Sequence, residues 1–173
     1  MISLKRIALT LSLIFVTGAA QAVPMTTDID MPLTIGHWAI SGGGYYNNIG
    51  QDYSSFALQP KAEYFIMDRL SVGGALGLYF SKRGEGTSFE FRQFTIAPSG
   101  TYYFWTDAGM ALYVNQQVSL NFYNSGSGIG GKTAVGCAFF LNPSIAISPE
   151  LQAVYADKER GAINIVAMIS AYL

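Results

Sequence analysis

From about residue 35 onward the chain alternates. In 56–66, Phe56, Leu58, Pro60, Ala62, Tyr64 and Ile66 fall on one side, and Ala57, Gln59, Lys61, Glu63 and Phe65 on the other. In 110–122, Met110, Leu112, Val114, Val118, Leu120 and Phe122 oppose Ala111, Tyr113, Asn115, Gln117, Ser119 and Asn121. The runs 70–80 and 163–173 repeat the pattern. A period of two belongs to a strand with two different faces, because successive side chains of extended backbone point to opposite sides. Eight such segments fit, near 35–46, 54–66, 70–81, 88–104, 109–123, 128–141, 144–156 and 161–173. Most run 11–15 residues. Strands of soluble domains usually have about five or six, and a tilted strand needs about 9–11 to cross a bilayer. After residue 22 no apolar run is long enough for a transmembrane helix.

Composition decides which face points where. Charged residues make up 12% and aromatics 14%, with 19 glycines. That is too apolar for disorder and too poor in charge for an ordinary soluble surface. The Leu, Val, Ile and Phe faces carry almost no charge. The opposite faces hold Lys61, Glu63, Lys132 and Glu150, with Gln59, Asn115, Gln117, Asn121, Gln152 and Asn164. They also hold small residues: Gly73, Ala75, Gly77, Ala134, Gly136 and Ala138. The interior of an eight-stranded barrel is only wide enough for side chains to fill. Small and polar residues of balanced charge suit that interior, with the apolar faces turned to lipid. The expected fold is all-β, an eight-stranded antiparallel transmembrane β-barrel. A secreted soluble ligand-binding barrel with the faces exchanged is the alternative. Its solvent surface would be Gly, Ala and Ser, which invites aggregation.

The connections alternate too. Those at 67–69, 106–108 and 142–143 are tight turns, while 47–53, 82–87, 124–127 and 157–160 are longer and carry most of the loop charge. In membrane barrels short turns face the periplasm and longer loops face out. Residues 23–173 hold 23 aromatics, and all but Phe94 and Tyr113 fall near strand ends. Trp38, Tyr64, Phe65, Tyr102, Tyr103, Phe104, Trp105, Phe139, Phe140 and Tyr172 gather toward the turns. Toward the loops lie Tyr45, Tyr46, Tyr53, Phe56, Tyr79, Phe80, Phe89, Phe91, Phe122, Tyr123 and Tyr155. The reading is of two lipid-facing girdles at the headgroup layers.

Residues 1–22 read as a secretory signal peptide. Lys5 and Arg6 form the positive start, an apolar run follows, and Ala20-Gln21-Ala22 is the cleavage site. The run from Ile7 to Ala20 has 14 residues, short of the ~20 that span a bilayer. The domain reading is therefore 1–22 leader, 23–33 short N-terminal periplasmic segment and 34–173 barrel. Residues 23–173 carry eight Lys and Arg against eleven Asp and Glu, a net charge of −3. That charge argues against a nucleic-acid partner, whose phosphates demand cations. A single cysteine, Cys137, and a single histidine, His37, argue against a disulfide framework and a multi-ligand metal site.

Three features resist the pattern. Pro60, Pro98 and Pro149 fall inside strands and are read as bulges. Gln116 lands on a lipid face. Between Phe91 and Phe94 the parity breaks, leaving Glu90 and Arg92 undecided, as a bulge would.

The runs FALQPKAEYFIMDRLSVGGALGLYF, FTIAPSGTYYF and GIGGKTAVGCAFFLNPSIAISPELQAVY resemble the small outer-membrane β-barrel proteins of the OmpX and OmpA transmembrane-domain type. The resemblance spans about 34–173. It implies a Gram-negative outer membrane, contact with its lipid and lipopolysaccharide, and folding by the barrel-assembly machinery. That family commonly ends in Phe, where this chain has Leu173. Some such barrels modify lipid A with a His and a Ser. Here His37 has Ser41 four residues on, about 13 Å along a strand and too far for proton transfer. No catalytic, cofactor or metal residue is assigned. Lys61, Glu63, Lys132 and Glu150 are read as a structural lumenal cluster in which Glu63 or Glu150 faces Lys61 or Lys132. The expected role is non-enzymatic: structural, membrane-integrity or surface-interaction. A lipid A-modifying enzyme is the rival.

Overall fold

A computed structural model describes residues 31–48, 53–83, 88–124, 126–156 and 159–173. The expected leader, most of the 23–33 segment and parts of all four longer loops, Glu85 and Asp157 included, lie outside the described residues. Eight strands follow one another: β1 (Trp38–Asn48), β2 (Tyr53–Met67), β3 (Leu70–Arg83), β4 (Glu90–Asp107), β5 (Met110–Tyr123), β6 (Gly126–Asn142), β7 (Ile145–Ala156) and β8 (Glu159–Tyr172). Each pairs antiparallel with the next, and β8 returns to β1, so the sheet closes into a barrel. The eight expected segments match these strands, with ends displaced by up to three residues. β1 starts late because Thr34–His37 form a turn, with Gly36 at a φ of 96°.

The alternation sets the two surfaces. Val118, Leu120, Val135, Leu151, Ile165 and Ile169 are exposed on the outside, and Ile163 is 77% exposed. Ala57, Lys61, Glu63 and Phe65 of β2 are all buried inside, as are Ala111, Tyr113, Asn115 and Gln117 of β5. Polar and small residues therefore fill the lumen while aliphatic ones coat the wall. Water would penalise that wall and hydrocarbon would not.

The bulges lie elsewhere than the prolines. Pro98 faces Gly74 and Pro149 faces Ala167 with no change of register, and Pro60 faces Gly42 likewise. The bulge reading of the three prolines is thus corrected. Each ring points outward and interrupts the ladder on one side only. Pro60 has no partner on β3, Pro98 none on β5 and Pro149 none on β6. Registers shift instead where strands meet the tight turns, at Phe65/Met67, Tyr103/Trp105 and Phe140/Asn142. A shift also falls in β4, where Arg92 is the extra residue opposite Tyr79/Phe80. That settles the broken parity. Glu90 and Arg92 are both exposed and pair at 2.6 Å.

The turn-end bulges correct the reading of the aromatics. Each falls just after an inward ring, and the extra residue lets two successive side chains face out, as Phe104 and Trp105 both do. Trp38, Tyr102, Phe104 and Trp105, with the half-buried Tyr64 and Phe139, form the outward part of the turn-end set. Phe65, Tyr103, Phe140 and Tyr172 belong to the lumen and are buried. They stack with ring centroids 5.0–6.4 Å apart, and the hydroxyls of Tyr103 and Tyr172 meet at 3.2 Å. Leu33, only 4% exposed, caps this layer from below, with Met31 packed against it. At the loop end, Tyr79 and Tyr123 likewise line the interior; the side chains of Tyr45 and Tyr53 lie outside the described set.

Candidate functional site

The lumen carries the chemistry, stacked in layers above the aromatic floor. Lys61 and Glu63, two residues apart on β2, share its inner face and form an ion pair at 3.1 Å. Glu63 is 0% exposed. Its carboxylate also accepts from Ser71 of β3 (3.2 Å), Ser99 (2.8 Å) and Thr101 (2.8 Å) of β4, and Asn115 of β5 (3.4 Å). Donors from four strands converge because the antiparallel register brings their inward positions to one level. An ionised carboxylate taken out of water costs several kcal/mol unless paired and hydrogen-bonded. Here both conditions are met.

Glu150 is held separately. Tyr113 Oη donates to it at 2.8 Å and Gln152 Nε2 at 2.7 Å. The Tyr113 ring crosses to β7 over Gly136, its cross-strand partner. A Cβ at Gly136 would lie 2.5 Å from that ring, so glycine is what leaves room. Among the described residues no carboxylate lies within ion-pair distance of Lys132. Its Nζ donates to Gln59 Oε1 at 3.3 Å. Of the pairings expected between Glu63 or Glu150 and Lys61 or Lys132, the structure forms Glu63 with Lys61, and Glu150 and Lys132 stand apart. Register is the reason: Glu150 faces Gly136, and Lys132 faces Val154. Four residues of β6 separate those levels, about 13 Å along the strand.

Above Lys132 the lumen widens into a cavity of about 330 Å³, partly open and lined in the loop half by amide and hydroxyl side chains. Two deeply buried amide oxygens, Asn115 Oδ1 and Gln152 Oε1, have no hydrogen-bond partner among the described residues. Among the described residues no three His, Cys, Asp or Glu side chains gather to hold a metal ion.

No family model matches the chain, and no curated protein matches its sequence. Likeness appears among solved structures. A de novo designed transmembrane β-barrel is 12% identical, with a TM-score of 0.51 over 81% of this chain and 98% of the design. The chain is an eight-stranded transmembrane β-barrel. Neisserial surface protein A is 18% identical, with a TM-score of 0.48 over 79% of this chain and 92% of that one. OmpT with loop L8 deleted, an outer membrane protein of Vibrio cholerae, is 15% identical, with a TM-score of 0.36 over 81% of this chain and 51% of that one.

Residues outside the lumen take quieter places on this barrel. His37 sits at the turn-end rim beside Thr34, whose Oγ1 is 3.1 Å from Nδ1. Ser41 lies inside and shares a 2.9 Å hydrogen bond with Ser170, so the structure does not bring His37 and Ser41 together. Gln116, out of place on the apolar face, is satisfied there. Thr133 donates to its Oε1 at 2.6 Å, and its Nε2 donates to Tyr155 Oη at 2.8 Å. Tyr155 reaches across Gly131, where a Cβ would lie 2.6 Å from the ring and 2.5 Å from its hydroxyl. Cys137 lies half-buried on the outer wall. Sequence reasoning missed Ser71, Ser99 and Thr101 as ligands of the Glu63 carboxylate. Their shared inward parity was visible, but their common level needed the register.

Proposed function

We propose that this chain is a non-enzymatic integral protein of a bacterial outer membrane, with a structural, membrane-integrity or surface-interaction role. One observation carries the reading: below Lys132 the lumen is packed with polar side chains, and it is stopped at the turn end by Phe65, Tyr103, Phe140, Tyr172 and Leu33. A barrel so closed serves as a rigid wall element better than as a diffusion pore. The short turns then face the periplasm and the longer loops the exterior. Lipid and lipopolysaccharide are its neighbours, and the barrel-assembly machinery its folding partner. The placement of His37 supports the non-enzymatic part, since among the described residues the one hydroxyl against its ring is that of Thr34, on the exposed rim and outside the lumen. The carboxylates of Glu63 and Glu150 are likewise occupied by donors.

Two measurements test this. Membrane fractionation followed by electrophoresis with and without boiling should give an outer-membrane band that shifts on heating, since every paired backbone group resists detergent. A soluble, unshifted band would refute the membrane assignment. Mass spectrometry of lipid A from cells with and without the protein should show identical acyl patterns. A changed pattern would replace the structural role with a lipid A-modifying one.

A further inference from the structure

The loop half of the lumen is more than packing space. Its cavity of about 330 Å³ reaches the lower end of the volumes that hold small organic molecules. The floor is closed, as described, so anything entering comes from the loop end. Gln59, Gln93, Gln117, Asn121, Lys132 and Asn164 supply the polar lining, and no described lining residue is a carboxylate. Lys132, Gln117 and Asn121 are each more than nine-tenths buried, with Lys132 at 8% exposure.

Charge is the informative part. Both lumenal carboxylates lie below the cavity: Glu63 is paired with Lys61 and ringed by hydroxyls, and Glu150 is hydrogen-bonded by the neutral side chains of Tyr113 and Gln152 and acts on Lys132 only from beyond ion-pair distance. Lys132 faces the cavity with three ammonium protons, one of them on Gln59. A buried ammonium with protons to spare favours an anion, and charge-assisted bonds are the strong ones. Side-chain amides both donate and accept, which matches a molecule rich in hydroxyls. We propose that this cup binds one sugar-sized organic anion, its carboxylate seated on Lys132 and its hydroxyls on the amides around it. The proposal goes beyond the structural role above and does not rest on it.

The test uses the full barrel folded in zwitterionic detergent. Glucuronate, glucose and glucosamine serve as probes, read by NMR of the side-chain amides and by calorimetry. Glucuronate should move the amide signals of Gln59, Gln117 and Asn121, glucose should bind about tenfold or more weakly, and glucosamine should leave the signals still. Lys132→Gln should lower glucuronate affinity at least about tenfold while keeping the heat-dependent gel shift, and Lys132→Arg should retain part of it. Equal response to all three sugars, no response to any, or unchanged glucuronate binding in a folded Lys132→Gln variant would each overturn the proposal. Lipopolysaccharide micelles moving these signals when free glucuronate does not would assign the cup to a lipid headgroup, overturning a free solute.

Discussion

Glu63 and Lys132 are both charged and both buried, yet the barrel treats them differently. Glu63 meets a cation and four neutral donors, while Lys132 meets one amide oxygen among the described residues. Removing one member of a buried ion pair strands the other charge, which costs about 3–5 kcal/mol. Lys61→Met should therefore lower unfolding stability in urea-titrated detergent micelles by about that amount. The double variant Lys61→Met/Glu63→Gln should recover most of the loss, because no unpaired charge is left. Lys132→Met should cost clearly less than Lys61→Met, since it breaks no close ion pair. Equal losses for the two single variants would mean that Lys132 neutralises Glu150 after all. The pairing of Lys61 with Glu63 was legible in the sequence because two residues of strand spacing share a face. The fate of Lys132 was not, because it depends on how β6 is registered against β7.

At the level of strands, closure is uneven. β1 pairs with β2 from Trp38 to Asn48, but with β8 only through Ala39–Gly43 against Met168–Tyr172. At the turn end the seam is anchored further, since Trp38 and Leu173 exchange backbone hydrogen bonds at 2.8 and 2.9 Å. Toward the loops, residues 44–48 and 163–167 do not pair with one another. Backbone groups without a ladder partner open most easily. Amide exchange in detergent should be fastest at 44–48 and 163–167 among strand residues, and slowest along β4–β6. Uniform protection around the barrel would show the seam to be fully zipped. The order and number of strands were legible from alternation alone. The bulges were placed wrongly at the prolines, because a missing donor interrupts one ladder without inserting a residue, whereas the tight turns need the extra residue to reverse the chain. Arg69 and Ala108, at φ of 65° and 41°, mark two of those reversals.

For the whole molecule, the aromatic floor decides between wall and channel. Rings of Phe65, Tyr103, Phe140 and Tyr172 close the section under a lumen that is otherwise polar. In planar bilayers the intact barrel should give no stepwise conductance. The triple variant Phe65→Ala/Tyr103→Ala/Tyr172→Ala, provided that it keeps its heat-dependent gel shift, should pass ions. Silence from that folded variant would place the barrier in the charged layer above instead. The outward apolar wall, the polar interior and the closed sheet agree with one another, as a lipid solvent requires.

Alternation, strand length and scarce charge were enough to determine an eight-stranded barrel with its polar side inward, because a period of two leaves each residue only two directions. Parity even assigned Phe65 to the face of Lys61 and Glu63, against its place in the expected girdle. Only the tertiary structure decided depth. How far along the axis a side chain lies depends on the register of every strand pair, and on the bulges that reset it. For that reason the aromatic floor, the donors converging on Glu63 and the separation of Lys132 from Glu150 emerged only when the barrel was closed.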